Sequence, residues 1–141
     1  MALFGDMGNE NAVSLPLLQR EIGAGLYDAV VHVGDMAYDM AELDGERGDI
    51  FMEKIEPIAS MVPYMTCPGN HEYHYNFTNY KARFNMPNDD NNMFFSYNIG
   101  PVHFISISTE YYYFLNYGLM QVNRGCVEAY CVMLVTGEAA V

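Results

Sequence analysis

Three short apolar runs, each closing in glycine followed by a polar ligand-type residue, constrain this chain more than any other feature. Residues 2–4 lead into Gly5-Asp6-Met7-Gly8, residues 29–33 into Gly34-Asp35-Met36-Ala37-Tyr38, and residues 63–67 into Pro68-Gly69-Asn70-His71-Glu72. An apolar run of this length that stops at a glycine reads as a buried strand whose carboxyl end opens into a turn, the place where open α/β sheets put their chemistry. Side by side, the three ends would gather two carboxylates, a phenol, an amide and an imidazole into one cleft. By donor type, such a set suits a hard to borderline metal ion.

The segments between these runs support that layout. Ser14 is a candidate N-cap, Leu15, Leu18 and Ile22 share one helical face, and Gly23 and Gly25 end the segment. The next strand is read over 28–33. After a polar loop from Asp39 to Gly45, Ile50, Phe51, Ile55 and Ile58 predict an amphipathic helix over 47–60, and residues 63–67 form the third strand. The resulting β-α-β-α-β alternation predicts parallel strands joined by crossovers. No helix is assigned in 74–92, where Asn, Asp, Tyr and Phe accumulate and Pro87 to Asn92 read as a turn-rich loop. Residues 94–97 and 102–108 predict a pair of strands around Asn98-Ile99-Gly100-Pro101. Leu119 to Arg124 reads as the start of a helix, and Gly125 to Val141 carries no motif.

The 141 residues are one domain's worth. Eighteen acidic against six basic residues give a net charge of −12, which argues against nucleic acid or an anionic membrane surface as partner, because phosphate backbones are held mainly by Lys and Arg. Bound cations could still bring phosphate to an acidic protein. No run approaches the ~20 apolar residues of a membrane helix, and the first residues lack the features of a signal peptide. Cys67, Cys126 and Cys131 have no zinc spacing and do not fix the redox compartment. Asn76-Phe77-Thr78 is a glycosylation sequon, of consequence only in a secreted protein and frequent by chance.

Each residue taken singly has a plainer explanation. Asp6 and Asp35 could cap a helix or close an Asx turn, Asn70 could be a turn residue, and Tyr38 is one of twelve tyrosines. His32, His74 and His103 are read as structural. Two carboxylates at adjacent strand ends, however, repel each other unless they share a proton or a cation. The order of the three motifs at intervals of about one β-α unit is far more specific than any one of them.

In that order, Asp-x-Gly, Gly-Asp-x-x-Tyr and Gly-Asn-His-Glu resemble the metallophosphoesterases and, through Tyr38, the purple acid phosphatases. The runs 27–38, 65–72, 79–84 and 107–110 look like animal members of the iron/zinc type 7 acid phosphatase branch. The resemblance implies an α/β, metallophosphoesterase-like β-α-β-α-β layered sandwich with an incomplete C-terminal half. It implies that Asp6, Tyr38 and Asp35 hold iron, that Asp35 bridges to a divalent ion also held by Asn70, and that His71 assists substrate binding or protonates the leaving group. Iron and zinc are the implied cofactors, with manganese an alternative at the second position. The implied activity is hydrolysis of small phosphate monoesters by a metal-bound hydroxide, in a secreted or extracellular glycoprotein.

The pattern breaks after the third motif. The family supplies three further histidine ligands from later segments, whereas the last of the four histidines here is His103. Residues 1–124 are therefore read as the N-terminal part of the catalytic domain and 125–141 as a divergent tail. The alternative to an active acid phosphatase is a catalytically inactive, truncated form that retains part of the metal site. A nucleotide-binding module is disfavoured, since neither Gly-x-Gly-x-x-Gly nor a Walker sequence occurs. The oligomeric state has no signal in the sequence.

Overall fold

The structure, a computed structural model, describes residues 1–87 and 92–110 together with the backbone of 131–137. Strands β1 (Ala2–Phe4), β2 (Val30–Val33) and β3 (Tyr64–Cys67) form a parallel sheet in the order β1-β2-β3, with Phe4 opposite His32 and His32 opposite Thr66. Helices α1 (Leu15–Gly23) and α2 (Glu46–Ala59) make the crossovers. Leu15, Leu18 and Ile22 of α1, and Phe51, Ile55 and Ile58 of α2, are buried, as the 3.6-residue spacing requires. The expected alternation is the observed one.

Ser14 does precede α1, but its side chain makes no capping hydrogen bond. It has helical backbone angles, and its carbonyl accepts from the Leu18 amide at 3.0 Å. Pro16, in the first turn, has no N–H to be capped and presets the helical φ, so the start needs less help from a side chain. Gly25, at φ +72, closes the other end by donating to the Ile22 carbonyl.

Two segments differ from the sequence reading. Helix α3 (His74–Arg83), broken near its start by left-handed backbone at Tyr75, Asn76 and Phe77, occupies part of the stretch to which no helix was assigned. His, Asn, Thr and Tyr are indifferent helix formers, but Phe77, Tyr80 and Phe84 recur at helical spacing and are buried, with Phe77 and Tyr80 fully so. The Tyr80 hydroxyl lies 3.0 Å from Thr66 Oγ1 on β3. Burying aromatic rings of this size stabilises by roughly 1.5 to 3 kcal/mol each, which outweighs the propensity deficit. The second difference is β6 (Cys131–Gly137), in the tail that carried no motif. It pairs antiparallel with β5 (Val102–Ser108), which pairs with β4 (Phe94–Ile99), forming a second sheet. A strand at a sheet edge is selected by its partner's exposed backbone, for which a lone sequence offers little sign. Residues 88–91 of the turn-rich loop and the expected helix start at 119–124 lie outside the described residues.

His32 is central to the packing. It is fully buried on β2, its ring centroid is 4.7 Å from Phe4 and 5.9 Å from Phe51, and its Nδ1 is 2.9 Å from the Tyr64 hydroxyl. His103, on the hairpin, has Nδ1 2.6 Å from Asn98 Oδ1. Both therefore have the structural roles expected of them. Among the described residues no helix is long and apolar enough to cross a membrane.

Candidate phosphoesterase site

The three strand ends are tied together through backbone. The Asp6 amide donates to the Gly34 carbonyl at 3.1 Å, the Gly8 amide to Met36 at 2.8 Å, and the Gly34 amide to Cys67 at 2.8 Å. Asp6, Asp35, Tyr38 and Asp39 all have positive φ, between +50° and +67°. Left-handed backbone at non-glycine residues is costly and gathers where a site fixes it from several sides. Here it turns successive side chains out of each strand end toward one another.

Glycine at position 69 has a steric cause. A Cβ there would lie 2.4 Å from Asp35 Oδ1 and 2.8 Å from the Asp35 amide nitrogen. Both neighbours are held, so Gly69→Ala is expected to displace the Asp35 loop and to lower the thermal midpoint of unfolding by several degrees. A substitution that leaves the midpoint and the Asp35 amide resonance unchanged would contradict that close approach.

Side chains then join the loops. The Tyr38 hydroxyl donates to Asp6 Oδ1 at 3.0 Å, and its ring lies 4.6 Å from the His71 ring. The His71 backbone N–H donates to Asp35 Oδ1 at 3.1 Å. His71 Nδ1 is 3.1 Å from Asp39 Oδ1, which leaves Nε2 as the ring atom available to a ligand. Asp6, Asp35, Tyr38 and His71 are thus brought into one connected cluster. Asn70 stands in the loop between Gly69, which packs on Asp35, and His71. His74 is closer to this cluster than a purely structural reading implies, with Nδ1 3.6 Å from Asp39 Oδ1.

Sequence reasoning gave no individual role to Glu72, Asp39 or Arg47. Glu72 is buried, and its carboxylate accepts from the amides of Asp35 at 2.9 Å, Met36 at 2.9 Å and Gly69 at 2.8 Å. It clamps the β2 loop to the β3 loop. Its place at the end of Gly-Asn-His-Glu was the available signal. Asp39 orients His71. Arg47, from the first turn of α2, donates to the Tyr38 carbonyl at 3.3 Å and pairs with Glu42 at 2.8 Å. A cleft of about 300 Å³ opens beside Asp6 and Tyr38, with Asn9, Glu10 and Arg47 in its wall.

The electrostatics are those of crowded acid groups. Burial raises the pKa of Asp35, and the nearby Asp6 and Asp39 carboxylates add to that, while the His71 contacts oppose it. Burial, the hydrogen bond to Asp6 and the surrounding carboxylates push the Tyr38 phenol up to about 12. Glu110 is pushed up to about 7 by burial and by Asp35. A cation among these groups would reverse each effect. The donor set of Asp6, Asp35, Tyr38 and Asn70 fits a cation by chemical type, and the 3.0 Å approach of Tyr38 to Asp6 shows two of these donors converging. Among the described residues, no group of three or more His, Cys, Asp or Glu side chains is arranged to hold a metal ion. The fit therefore depends on the phenol and the amide as well as the carboxylates.

Strand ends joined in this way, with these motifs in this order, define the layered α/β architecture of the phosphoesterases. The calcineurin-like phosphoesterase family matches residues 1–129, and the chain belongs to it. It is similar to acid phosphatase type 7 of Mus musculus, 56% identical over 118 residues, and of Homo sapiens, 53% identical over 124 residues. Those alignments cover 84% and 88% of this chain but 27% and 28% of the relatives. The chain thus spans about a quarter of the length of the curated relatives it matches. Among solved structures it is similar to a purple acid phosphatase from yellow lupin seeds, with a TM-score of 0.57 and 27% identity, over 70% of this chain and 22% of that one. The metallophosphoesterase fold expected from the motifs is the observed fold.

Proposed function

We propose that this chain carries the N-terminal part, residues 1–124, of an acid phosphatase that hydrolyses phosphate monoesters, followed by a divergent tail at 125–141. Asp6, Asp35, Tyr38 and Asn70 would hold iron and a divalent ion, zinc or manganese. When bound, such ions supply positive charge against the phosphate oxygens and acidify water. The observation that supports this reading most is the connected cluster of Asp6, Tyr38, His71 and Asp35 at three adjacent strand ends.

The protein's own groups have distinct tasks in this reading. Asp39 accepts from His71 Nδ1–H, so that the ring, when it carries its second proton, can donate from Nε2 to a phosphate oxygen or to the departing alcohol. The His71 amide takes up one oxygen of Asp35, leaving the other for a cation. Glu72 keeps Asp35 and Gly69 in register, and Arg47 fixes the backbone at Tyr38. Cys67 is disulfide-bonded, which supports a secreted or extracellular location, since such bonds persist in oxidising compartments.

The test is metal content together with turnover. The purified chain is expected to take up iron and zinc and to hydrolyse p-nitrophenyl phosphate at acid pH. Asp35→Asn should reduce turnover by on the order of 100-fold or more, with a parallel loss of metal. A metal-free protein without turnover in the presence of both ions would overturn the reading for this chain and leave the inactive, partial-site form in its place.

A further inference from the structure

His74 lies outside the three motifs, yet the fold sets it against a group that the proposed function uses. Asp39 Oδ1 is 3.1 Å from His71 Nδ1 and 3.6 Å from His74 Nδ1, so two imidazoles converge on one carboxylate oxygen. An ionised carboxylate oxygen has lone pairs enough to accept from both. His74 Nδ1 is shielded from solvent and has no hydrogen-bond partner among the described residues. A buried ring nitrogen left in that state is costly, and a small rotation that closes the gap to hydrogen-bond length satisfies it. The two rings are anchored separately. His74 stacks on Tyr73 with centroids 4.9 Å apart, and it directly precedes the left-handed turn at 75–77, which the fully buried Phe77 ties to the core. His71 packs on Tyr38 at 4.6 Å, among the strand ends. Asp39, on left-handed backbone at φ +67, stands between them.

We propose that His74 is a positioning residue for His71, acting through Asp39. Both rings donate from Nδ1 to the same oxygen, and the donation from His74, whose place is set by the core side of the turn, fixes the carboxylate where it accepts from His71 Nδ1–H. His71 is thereby held in one tautomer and one ring orientation, with Nε2 left toward the substrate. The consequence for catalysis rests on the role given to His71 under the proposed function; the consequence for the tautomer does not.

Long-range proton–nitrogen correlation spectra of the imidazole rings test the positioning without metal or turnover. At mildly alkaline pH, where histidines are ordinarily neutral, the parent chain is expected to hold His71 mainly as the Nδ1–H tautomer. His74→Phe keeps a ring to stack on Tyr73 but removes the nitrogen, and should shift His71 toward the Nε2–H form that free histidine prefers. His74→Asn, whose amide nitrogen can stand where Nδ1 stood, should restore the parent tautomer. A parent already in the Nε2–H form, an unchanged His71 in His74→Phe, or a shift that His74→Asn leaves in place each overturns the proposal. In the chain loaded with iron and zinc, His74→Phe should lower kcat for p-nitrophenyl phosphate by about tenfold while KM changes less than about twofold, with kcat recovered in His74→Asn. A loaded His74→Phe variant with the parent's kcat overturns the bearing of His74 on the reaction. A parent that shows the tautomer dependence but no turnover with both metals upholds the positioning and overturns the phosphatase reading instead.

Discussion

Glu72→Ala is expected to lower the free energy of unfolding by about 3 kcal/mol or more. The Glu72 carboxylate is acceptor to three backbone N–H groups on two loops. Each buried donor that loses its acceptor costs roughly 1 to 3 kcal/mol, and the missing side chain also leaves a void. The loss should be local before it is global. Hydrogen exchange at the Asp35, Met36 and Gly69 amides is expected to accelerate more than exchange in α2. Glu72→Gln keeps one acceptor oxygen and should fall between the parent and Glu72→Ala, which preserves the test if the alanine variant fails to fold. Urea denaturation that shows a loss below about 1 kcal/mol would mean that the clamp is not what holds the two loops.

The second large effect concerns pH. Burial lowers the pKa of His32 from the usual 6.5 to about 3. The neutral ring is the stable form in the fold, while the unfolded chain takes up a proton below about pH 6.5. The contribution to stability is therefore complete above pH 6.5 and is lost as the pH falls toward 3. At about pH 5 the loss is about 2 kcal/mol, from roughly 1.5 pH units at 1.36 kcal/mol each.

Two carboxyls act in the opposite sense. Glu72 and Glu110 are both raised to about 7 by burial, so their contributions are present at low pH and lost as pH rises through about 7. The total stability can then look flat with pH even though His32 titrates. A difference measurement removes that cancellation. Between about pH 7 and pH 5, the stability of the parent relative to His32→Gln should fall by about 2 kcal/mol. Parallel pH profiles for the two proteins would show that the buried ring is not a proton-linked element.

How much of this could be read beforehand differs from element to element. Ile22 with Leu18, and Ile55 with Phe51, repeat at helical spacing, and the short runs at 28–33 and 63–67, each leading into a glycine turn, read as buried strands. Their glycine-terminated ends marked Asp6, Asp35, Tyr38, Asn70 and His71 directly. Helix α3 was hidden because its residue types favour turns, although Phe77, Tyr80 and Phe84 already carried its period. Strand β6 had no comparable signal, because an edge strand depends on the partner it meets.

The sequence by itself determined the β-α-β-α-β order of the first sheet and its crossover helices, the location of the candidate ligands at strand ends, and the acidity of the chain, since each follows from residue type and spacing along the polymer. Only the tertiary structure decided that Tyr38 reaches Asp6, that Asp39 orients His71, and that Glu72 turns inward to hold two loops. Those contacts join residues more than thirty positions apart, where spacing carries no information about direction. Left-handed turns at Asp6, Asp35, Tyr38 and Asp39 set those directions, and surrounding packing has to hold backbone in a conformation that these residues do not favour alone.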